Sequence, residues 1–393
     1  MSIEKVITNL RGDKVIWLIV LFLILFSLLT VYSAAGSLAF TNNGAAAETY
    51  LVKQLLFMGL GLTLMYVAYK LDYIQYSNIA PLLMFITVPL LIYTILYGTE
   101  INEARRWLKI PWMNQSFQTS DFAKLALIIF LAKSIANKQD VIKDFKSAFL
   151  PLILPVIIVC GLIAPSDLST AGLLFMTSLL LMFIGRVDMK YILLLVLLGI
   201  VLLAVIIIIG SVFPEIVRLE TWINRINEFF YNTDGGYQIQ HSKIAIAHGG
   251  IIGVGPGKSL EQNYLPYAYA DFIYAIIVEE YGLIGGVLII GLYLLLLIQS
   301  IRIVTKSPKT FGAMLAMGLT LNIVVQAFAN IAVSVHLLPV TGLTLPLVSA
   351  GGSSILITSI SLGIILSVSR YVEQAQIEKI ALQEIEELNE SDN

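Results

Sequence analysis

Long apolar segments separated by short polar connections dominate the pattern along this chain. A helix rises 1.5 Å per residue, so about 20 apolar residues are needed to cross a bilayer. Ten segments approach or exceed that length: 15–35, 51–70, 77–97, 121–137, 147–164, 170–186, 190–212, 272–300, 311–335 and 351–371. The pattern predicts an all-α polytopic membrane protein with about ten transmembrane helices.

The Lys and Arg residues of the connections predict the orientation, because cytoplasmic loops are enriched in positive charge. With the N-terminus inside, most Lys and Arg lie on the cytoplasmic side, and the C-terminus is also inside. Apart from Lys53 and Lys124, which lie at or within span ends, the remaining positive charges fall in two outside loops, 98–120 and 213–270. They are Arg105, Arg106, Lys109, Arg218, Arg225, Lys243 and Lys258. Positive charge on the disfavoured side indicates a use for it, such as binding an anion.

The loop at 213–270, between predicted spans 7 and 8, is the longest connection. Loops beyond about 12–15 residues are usually functional or disordered. This one is rich in aromatic residues and contains HGGIIGVGPGKS at 248–259, so we expect it to be partly folded. The glycine-rich piece does not match the P-loop pattern, and a tight turn is the preferred interpretation. We predict one membrane domain over 1–371, and an acidic cytoplasmic tail over 372–393 that extends the last helix.

Composition excludes an ordinary soluble protein. Hydrophobic residues make up 58% of the chain and charged residues 13%, and the mean hydropathy is +0.87, against about 25% charged residues in soluble domains. A net charge of −2 gives no reason to expect a nucleic-acid partner. The three histidines are dispersed and lack metal-ligand spacing, so no cofactor is predicted with certainty, although a divalent cation could assist an anionic ligand.

Three carboxylates stand out in LPYAYADFIYAIIVEEYG at 265–282. Asp271 lies at the mouth of an apolar run, where it is an N-cap, a functional carboxylate or both. Glu279 and Glu280 lie inside the run, where a charge costs about 2.5–3.5 kcal/mol at the bilayer centre. We therefore expect one of them to form a structural pair and the other to line a polar cavity.

Three stretches together resemble one family. They are GYQIQHSKIAIAHGGIIGVGPGKS followed by LPYAYADFIYAIIVEEYGLIG, NEARRWLKI with FQTSDFAKLALIIFLA at 102–132, and LLPVTGLTLPLVSAGGSS at 337–354. In this order they resemble the signatures of the SEDS proteins (shape, elongation, division and sporulation). GLTLP at 342–346 favours the division branch over the elongation branch. The sequence departs from the family pattern where Tyr267 and Tyr269 replace a glutamate and a histidine, but Asp271 keeps the aspartate.

The resemblance implies a peptidoglycan glycosyltransferase. Such an enzyme polymerises lipid II, a disaccharide-pentapeptide on an undecaprenyl diphosphate carrier, at the outer face of the cytoplasmic membrane, here for septal wall synthesis in division. It implies Asp271 as the catalytic base. The substrate-binding candidates are Arg105, Arg106, Asp121, Lys124, Lys258, Ser259, Glu279 and Glu280. The alternatives are structural roles without substrate contact: an intrahelical ion pair for Asp121 with Lys124, and an anchor at the membrane interface for Arg105 and Arg106.

Two other functions fit the same residues. A flippase that moves lipid II between leaflets would also keep ionisable groups inside the membrane. A scaffold that only recruits a penicillin-binding protein would leave the cationic outer loops without a ligand. The family further implies a class B penicillin-binding protein and other division proteins as partners, with a location at the division site.

Overall fold

The computed structural model describes residues 11–41, 46–101, 104–110, 115–213, 217–231 and 235–391. In chain order, its helices and strands are α1 Lys14–Thr41, α2 Ala46–Lys70, α3 Tyr73–Tyr97, β1 Thr99–Ile101, β2 Ala104–Ile110, β3 Gln115–Gln118, α4 Thr119–Asn137, α5 Leu150–Ile163, α6 Leu168–Ile184, α7 Met189–Val212, α8 Leu219–Tyr231, α9 Tyr237–Gly249, α10 Ile273–Lys306, α11 Thr310–Ser334 and α12 Gly352–Ser391. Helices therefore dominate the described chain, as predicted.

Each of the ten predicted segments coincides with one of these helices. Seven helices in the described ranges are long and apolar enough to cross a membrane: α1, α2, α3, α7, α10, α11 and α12. Helices α5 and α6 are apolar but have only 14 and 17 residues. Helix α4 has 19 residues and carries Asp121, Lys124 and Lys133. The protein is a multi-pass membrane protein, and α12 continues beyond residue 371 as the sequence predicts.

A small antiparallel sheet departs from the all-α prediction. Strands β1, β2 and β3 pair in sequence order within the predicted loop 98–120. Trp107 lies opposite Thr99 on one side and Gln118 on the other. The strands are too short to give a signal by run length, and they precede α4 directly. The sheet matters because it carries Arg106, whose side chain pairs with Asp167 beside α6.

The buried centre of the bundle is formed by α11 and α12. Within their apolar windows, 67% and 72% of the residues are buried, whereas only 17% are buried in α7. Small residues permit close approach of helix backbones. At Gly363 of α12, for example, an added Cβ would lie 2.3 Å from the carbonyl oxygen of Met65 in α2. Helix α7 is therefore largely exposed, while α11 and α12 lie largely in the interior of the bundle.

Helix α10 is unwound at Gly282, where the glycine-rich loop packs against it. Gly282 has φ +70°, a conformation that favours glycine. The N–H of Leu283 donates to the carbonyl of Gly250 at 2.9 Å, and the N–H of Val254 donates to the carbonyl of Glu279 at 3.0 Å. Gly253, like three other glycines of this loop, also has a positive φ. The turn interpretation of HGGIIGVGPGKS is therefore confirmed.

Candidate active site

A polar cavity of about 380 Å³ opens where the sheet, α6, α8, α9 and the loop before α12 meet. Its charged lining consists of Arg106, Asp167, Arg218, Arg225 and Asp271. Smaller polar groups come from Ser166, Ser169, Thr221, Gln238 and Thr341. Three arginines and two aspartates thus share one cavity at one end of the helix bundle.

Asp271 lies just before α10 and is not its N-cap. The N-cap residue is Phe272, and no side chain caps the first turn. The Asp271 side chain lines the cavity and remains partly exposed to it. In the described part of the chain, its carboxylate makes no hydrogen bond. The carboxylate is therefore available to a molecule that enters the cavity.

The alternation of β2 decides which of two adjacent arginines reaches the cavity. Neighbouring side chains on a strand point to opposite faces. Arg106 lines the cavity, and its Nη1 lies 2.9 Å from Oδ2 of Asp167. Arg105 is exposed and does not line this cavity. The proposed ligand role of Arg105 remains a prediction without support from this geometry.

Asp167 combines two functions at the start of α6. Its Oδ1 accepts the N–H of Thr170 at 3.0 Å, so Asp167 is the N-cap of α6. Its Oδ2 accepts the hydroxyl of Thr170 and pairs with Arg106. The aspartate therefore fixes the guanidinium of Arg106 at the cavity wall.

Arg218 and Arg225 belong to the outside charges, but the sequence motifs do not mark them as site residues. They lie at the start of and within α8, where Arg218, Thr221, Trp222 and Arg225 all line the cavity. Their spacing of three, four and seven residues is one helical face. Helical periodicity in 218–225 was the signal available in the sequence, but the segment is shorter and more polar than a transmembrane span.

The electrostatics of the cavity couple the aspartates to the arginines. Burial raises the pKa of the Asp271 carboxyl, the charges of Arg106 and Arg225 lower it, and Asp167 raises it. Burial also lowers the pKa of the Arg225 guanidinium, and the nearby charge of Arg218 lowers it further. Crowded, desolvated guanidinium groups favour an anion that would relieve their repulsion.

Asp121 and Lys124 form a buried pair away from this cavity. Nζ of Lys124 lies 2.9 Å from Oδ1 of Asp121 and 3.0 Å from Oε1 of Gln326 in α11. Oδ2 of Asp121 accepts the hydroxyl of Ser353 at 3.1 Å. The predicted intrahelical pair is present, and it joins α4 to α11 and α12. A substrate contact of either residue stays a prediction.

The two intramembrane glutamates hold the glycine-rich loop. Glu279 accepts hydrogen bonds from Ser259, from the N–H of Leu260 at 3.0 Å and from Nδ1 of His248 at 3.0 Å. The hydroxyl of Ser33 in α1 and the N–H of Gly257 donate to Glu280. Neither glutamate lines the described cavity. Both therefore have structural partners, and cavity lining by one of them has no support from this geometry.

Lys258 and Ser259 are also outside the cavity. Ser259 is buried and bonded to Glu279, while Lys258 is exposed. No group of three or more His, Cys, Asp or Glu residues with the arrangement of a metal site occurs in the described ranges. The cavity instead offers cationic side chains and one carboxylate without a hydrogen bond.

The sequence of this chain is similar to those of known proteins of one family. The family model described as "cell cycle protein", which covers FtsW, RodA and SpoVE, matches residues 13–374. A probable peptidoglycan glycosyltransferase FtsW from Geobacter metallireducens is 34% identical over 91% of this chain and 95% of its own length. Stage V sporulation protein E from Bacillus subtilis is also 34% identical, over 91% of this chain and 97% of its own.

Solved structures agree with these sequences. A chain of a peptidoglycan synthase complex that coordinates polymerization and crosslinking superposes with a TM-score of 0.70 and 26% identity, covering 92% of this chain and 98% of that one. The rod shape determining protein RodA from Thermus thermophilus gives a TM-score of 0.66 and 25% identity, covering 92% and 98%. The resemblance seen in the sequence motifs is confirmed. The chain belongs to the FtsW, RodA and SpoVE family of cell cycle proteins.

Proposed function

We propose that this protein is a peptidoglycan glycosyltransferase that polymerises lipid II at the outer face of the cytoplasmic membrane during septal wall synthesis. The observation that carries the proposal is the cavity in which Asp271 lies with Arg106, Arg218 and Arg225. A carboxylate and several cations suit the transfer of a sugar from a diphosphate. The names of the relatives point to the same reaction.

The reaction needs a base because the acceptor is a sugar hydroxyl, which is a weak nucleophile. Asp271 takes the proton of this hydroxyl while its oxygen attacks the anomeric carbon of the donor. The bond from that carbon to the diphosphate oxygen breaks, and the electron pair leaves with the diphosphate. One displacement converts the α-linked donor into a β-linked product, so no covalent enzyme intermediate is required.

Besides a base, the reaction needs positive charge, because the leaving group is an anionic diphosphate. Glycosidases use a second carboxyl group to protonate a poor leaving group. A diphosphate is already stable as an anion and needs charge stabilisation instead. Arg106, Arg218 and Arg225 supply it, and arginine suits bidentate contact with phosphate oxygens. Clustering of Arg218 with the desolvated Arg225 supports an anionic ligand at this position.

The pKa balance of Asp271 matches the role of a base. Burial raises the pKa of this carboxyl, which makes its carboxylate a stronger base than an exposed aspartate. Arg106 and Arg225 lower the pKa again and keep the ionised form available. The orientation predicted from Lys and Arg puts this end of the bundle outside the membrane, where lipid II is polymerised. A class B penicillin-binding protein is the proposed partner that crosslinks the new strands.

A polymerisation assay tests the proposal. The full-length chain, reconstituted in lipid vesicles with its partner and fluorescent lipid II, is expected to produce glycan strands. Asp271→Asn removes the base while keeping the side-chain volume, so polymer should be lost although lipid II still binds. Asp188→Asn is the matched control, because Asp188 caps α7 at the opposite end of the bundle.

Each outcome discriminates between functions. Polymer from Asp271→Asn at the wild-type rate would overturn the assignment of the base. Movement of lipid II between leaflets by a wild-type protein that makes no polymer would establish the flippase instead. A wild type that neither polymerises nor moves lipid II, but still binds the penicillin-binding protein, would favour the scaffold.

A further inference from the structure

Three consecutive backbone carbonyl groups just before α10 accept hydrogen bonds from α11 and from the loop before α12. Carbonyls at this position precede the helix, so the helix itself provides no donor for them. Those of residues 269–271 accept, in order, the N–H of Ala350 at 2.9 Å, the hydroxyl of Ser349 at 2.5 Å and the side-chain amide of Asn330 at 2.7 Å. The backbone at Asp271 is thus fixed by hydrogen bonds from segments other than α10.

Asn330 does more than satisfy one carbonyl. It lies in α11 with 1% of its surface exposed, and Nδ2 also donates to the carbonyl of Leu343 at 2.7 Å. Leu343 follows Gly342, which lines the cavity with φ +70°. A Cβ added at Gly342 would lie 3.6 Å from Oδ2 of Asp271. One amide therefore ties the backbone of Asp271 to the adjoining wall of the cavity.

The orientation of this amide is determined by its partners. Both are carbonyl oxygens, so only the nitrogen of Asn330 can face them, and a flipped amide would bring three oxygens together. Oδ1 is buried and has no hydrogen-bond partner within the described ranges. Oδ1 therefore makes no hydrogen bond that could favour another orientation of the side chain. Nδ2 donates to the carbonyls of both Asp271 and Leu343.

We infer that Asn330 is a positioning residue for Asp271, which sets the carboxylate against the reacting sugar hydroxyl. The inference rests on the proposed function. Because the carboxylate makes no hydrogen bond of its own among the described residues, its position follows that of its backbone. A displacement of about 1 Å in a reacting group can cost about 100-fold in rate. Loss of the amide should therefore reduce turnover while the arginines still hold the diphosphate.

The experiment compares three variants of the full chain in vesicles with lipid II. Asn330→Ala removes both donors and should lower kcat about 100-fold, with KM for lipid II within threefold of wild type. Asn330→Asp keeps the volume but has at most one donor and sets an oxygen against the carbonyls, so it should lower kcat as Asn330→Ala does. Thr320→Val is the control: Thr320 is fully buried in the same helix and bonds Ser300 of α10 at 2.6 Å, away from the cavity.

The results separate positioning from simple support of the fold. A wild-type kcat in Asn330→Ala would overturn the inference, as would a loss of lipid II affinity in proportion to the loss of kcat. An equal loss of kcat in Thr320→Val would attribute the effect to weakened packing between α10 and α11. If Asn330→Ala fails to fold, Ser349→Ala tests the same clamp through the neighbouring carbonyl and should also lower kcat at constant KM. Unchanged polymerisation by Asp271→Asn would overturn the assignment of Asp271 as the base, whereas a wild type that makes no polymer would overturn the proposed function itself.

Discussion

Glu279 is the residue whose removal should most clearly damage the fold without touching the cavity. Its side chain is fully buried. The carboxylate accepts the N–H of Leu260 at 3.0 Å and that of Glu261 at 3.4 Å, together with the hydroxyl of Ser259 and Nδ1 of His248 at 3.0 Å. Glu279→Ala would therefore leave several donors of the glycine-rich loop without an acceptor.

The size of the effect follows from these contacts. A hydrogen bond to a charged group contributes about 1.5–3 kcal/mol, and each buried donor left without a partner costs about 1–3 kcal/mol. The bonds of one carboxylate are not additive, so the whole expected loss for Glu279→Ala is about 3–5 kcal/mol. Glu280→Gln is the contrast, because its Oε1 still accepts the N–H of Gly257, and its Oε2 has no partner within the described chain. The expected loss is smaller, about 1–3 kcal/mol, because the new amide donors would lie where Oε2 has no partner among the described residues.

Thermal unfolding in detergent measures both variants. Cys160 is the only cysteine and is buried, so a thiol-reactive fluorescent dye reports the loss of the helix packing. Glu279→Ala should unfold several degrees below wild type, and Glu280→Gln should lower the unfolding temperature by a smaller amount. An unchanged unfolding temperature for Glu279→Ala, with a loss of lipid II affinity, would refute the structural role and restore Glu279 as a substrate contact.

Three further variants test the cavity charges and the kink. Polymerisation rate should rise with pH as Asp271 ionises; Arg225→Gln removes a cation that lowers the pKa of Asp271 and should move this rise to higher pH, as measured from initial rates at saturating lipid II. Asp167→Asn removes an anion that raises the same pKa, so the rise should move to lower pH, and shifts of the two variants in one direction would contradict the assignment. Gly282→Ala should lower the unfolding temperature, because its φ is +70° and the added Cβ would lie 2.2 Å from a backbone oxygen, whereas Gly291→Ala in the same helix meets nothing within 4 Å and should be tolerated.

The helices and the main carboxylate could be predicted from local pattern. Apolar run length located all ten predicted segments, because a bilayer demands a continuous apolar surface of fixed length. The pairing of Asp121 with Lys124 followed from a spacing of three residues on one helix. Asp271 was selected by its motif and its place at the start of an apolar run. Such features depend only on neighbours in the chain.

The composition of the cavity required the tertiary structure. Arg105 and Arg106 are equivalent by charge, but the pleat of β2 sends only Arg106 to Asp167. Arg225 and Asp271 line the same cavity although they lie far apart in sequence, which no local pattern specifies. By sequence, Glu279 is a candidate ligand, because its charge inside an apolar run needs a partner. The structure provides that partner within the protein, in the glycine-rich loop.

The sequence by itself determined that this chain crosses a membrane and belongs to a family with an aspartate before one helix. The length of the apolar segments and the order of the motifs can be read directly from the sequence. Only the tertiary structure decided which cations surround Asp271 and that Asn330 holds its backbone. Those contacts join residues far apart in sequence, and their geometry depends on how α8, α10 and α11 pack together.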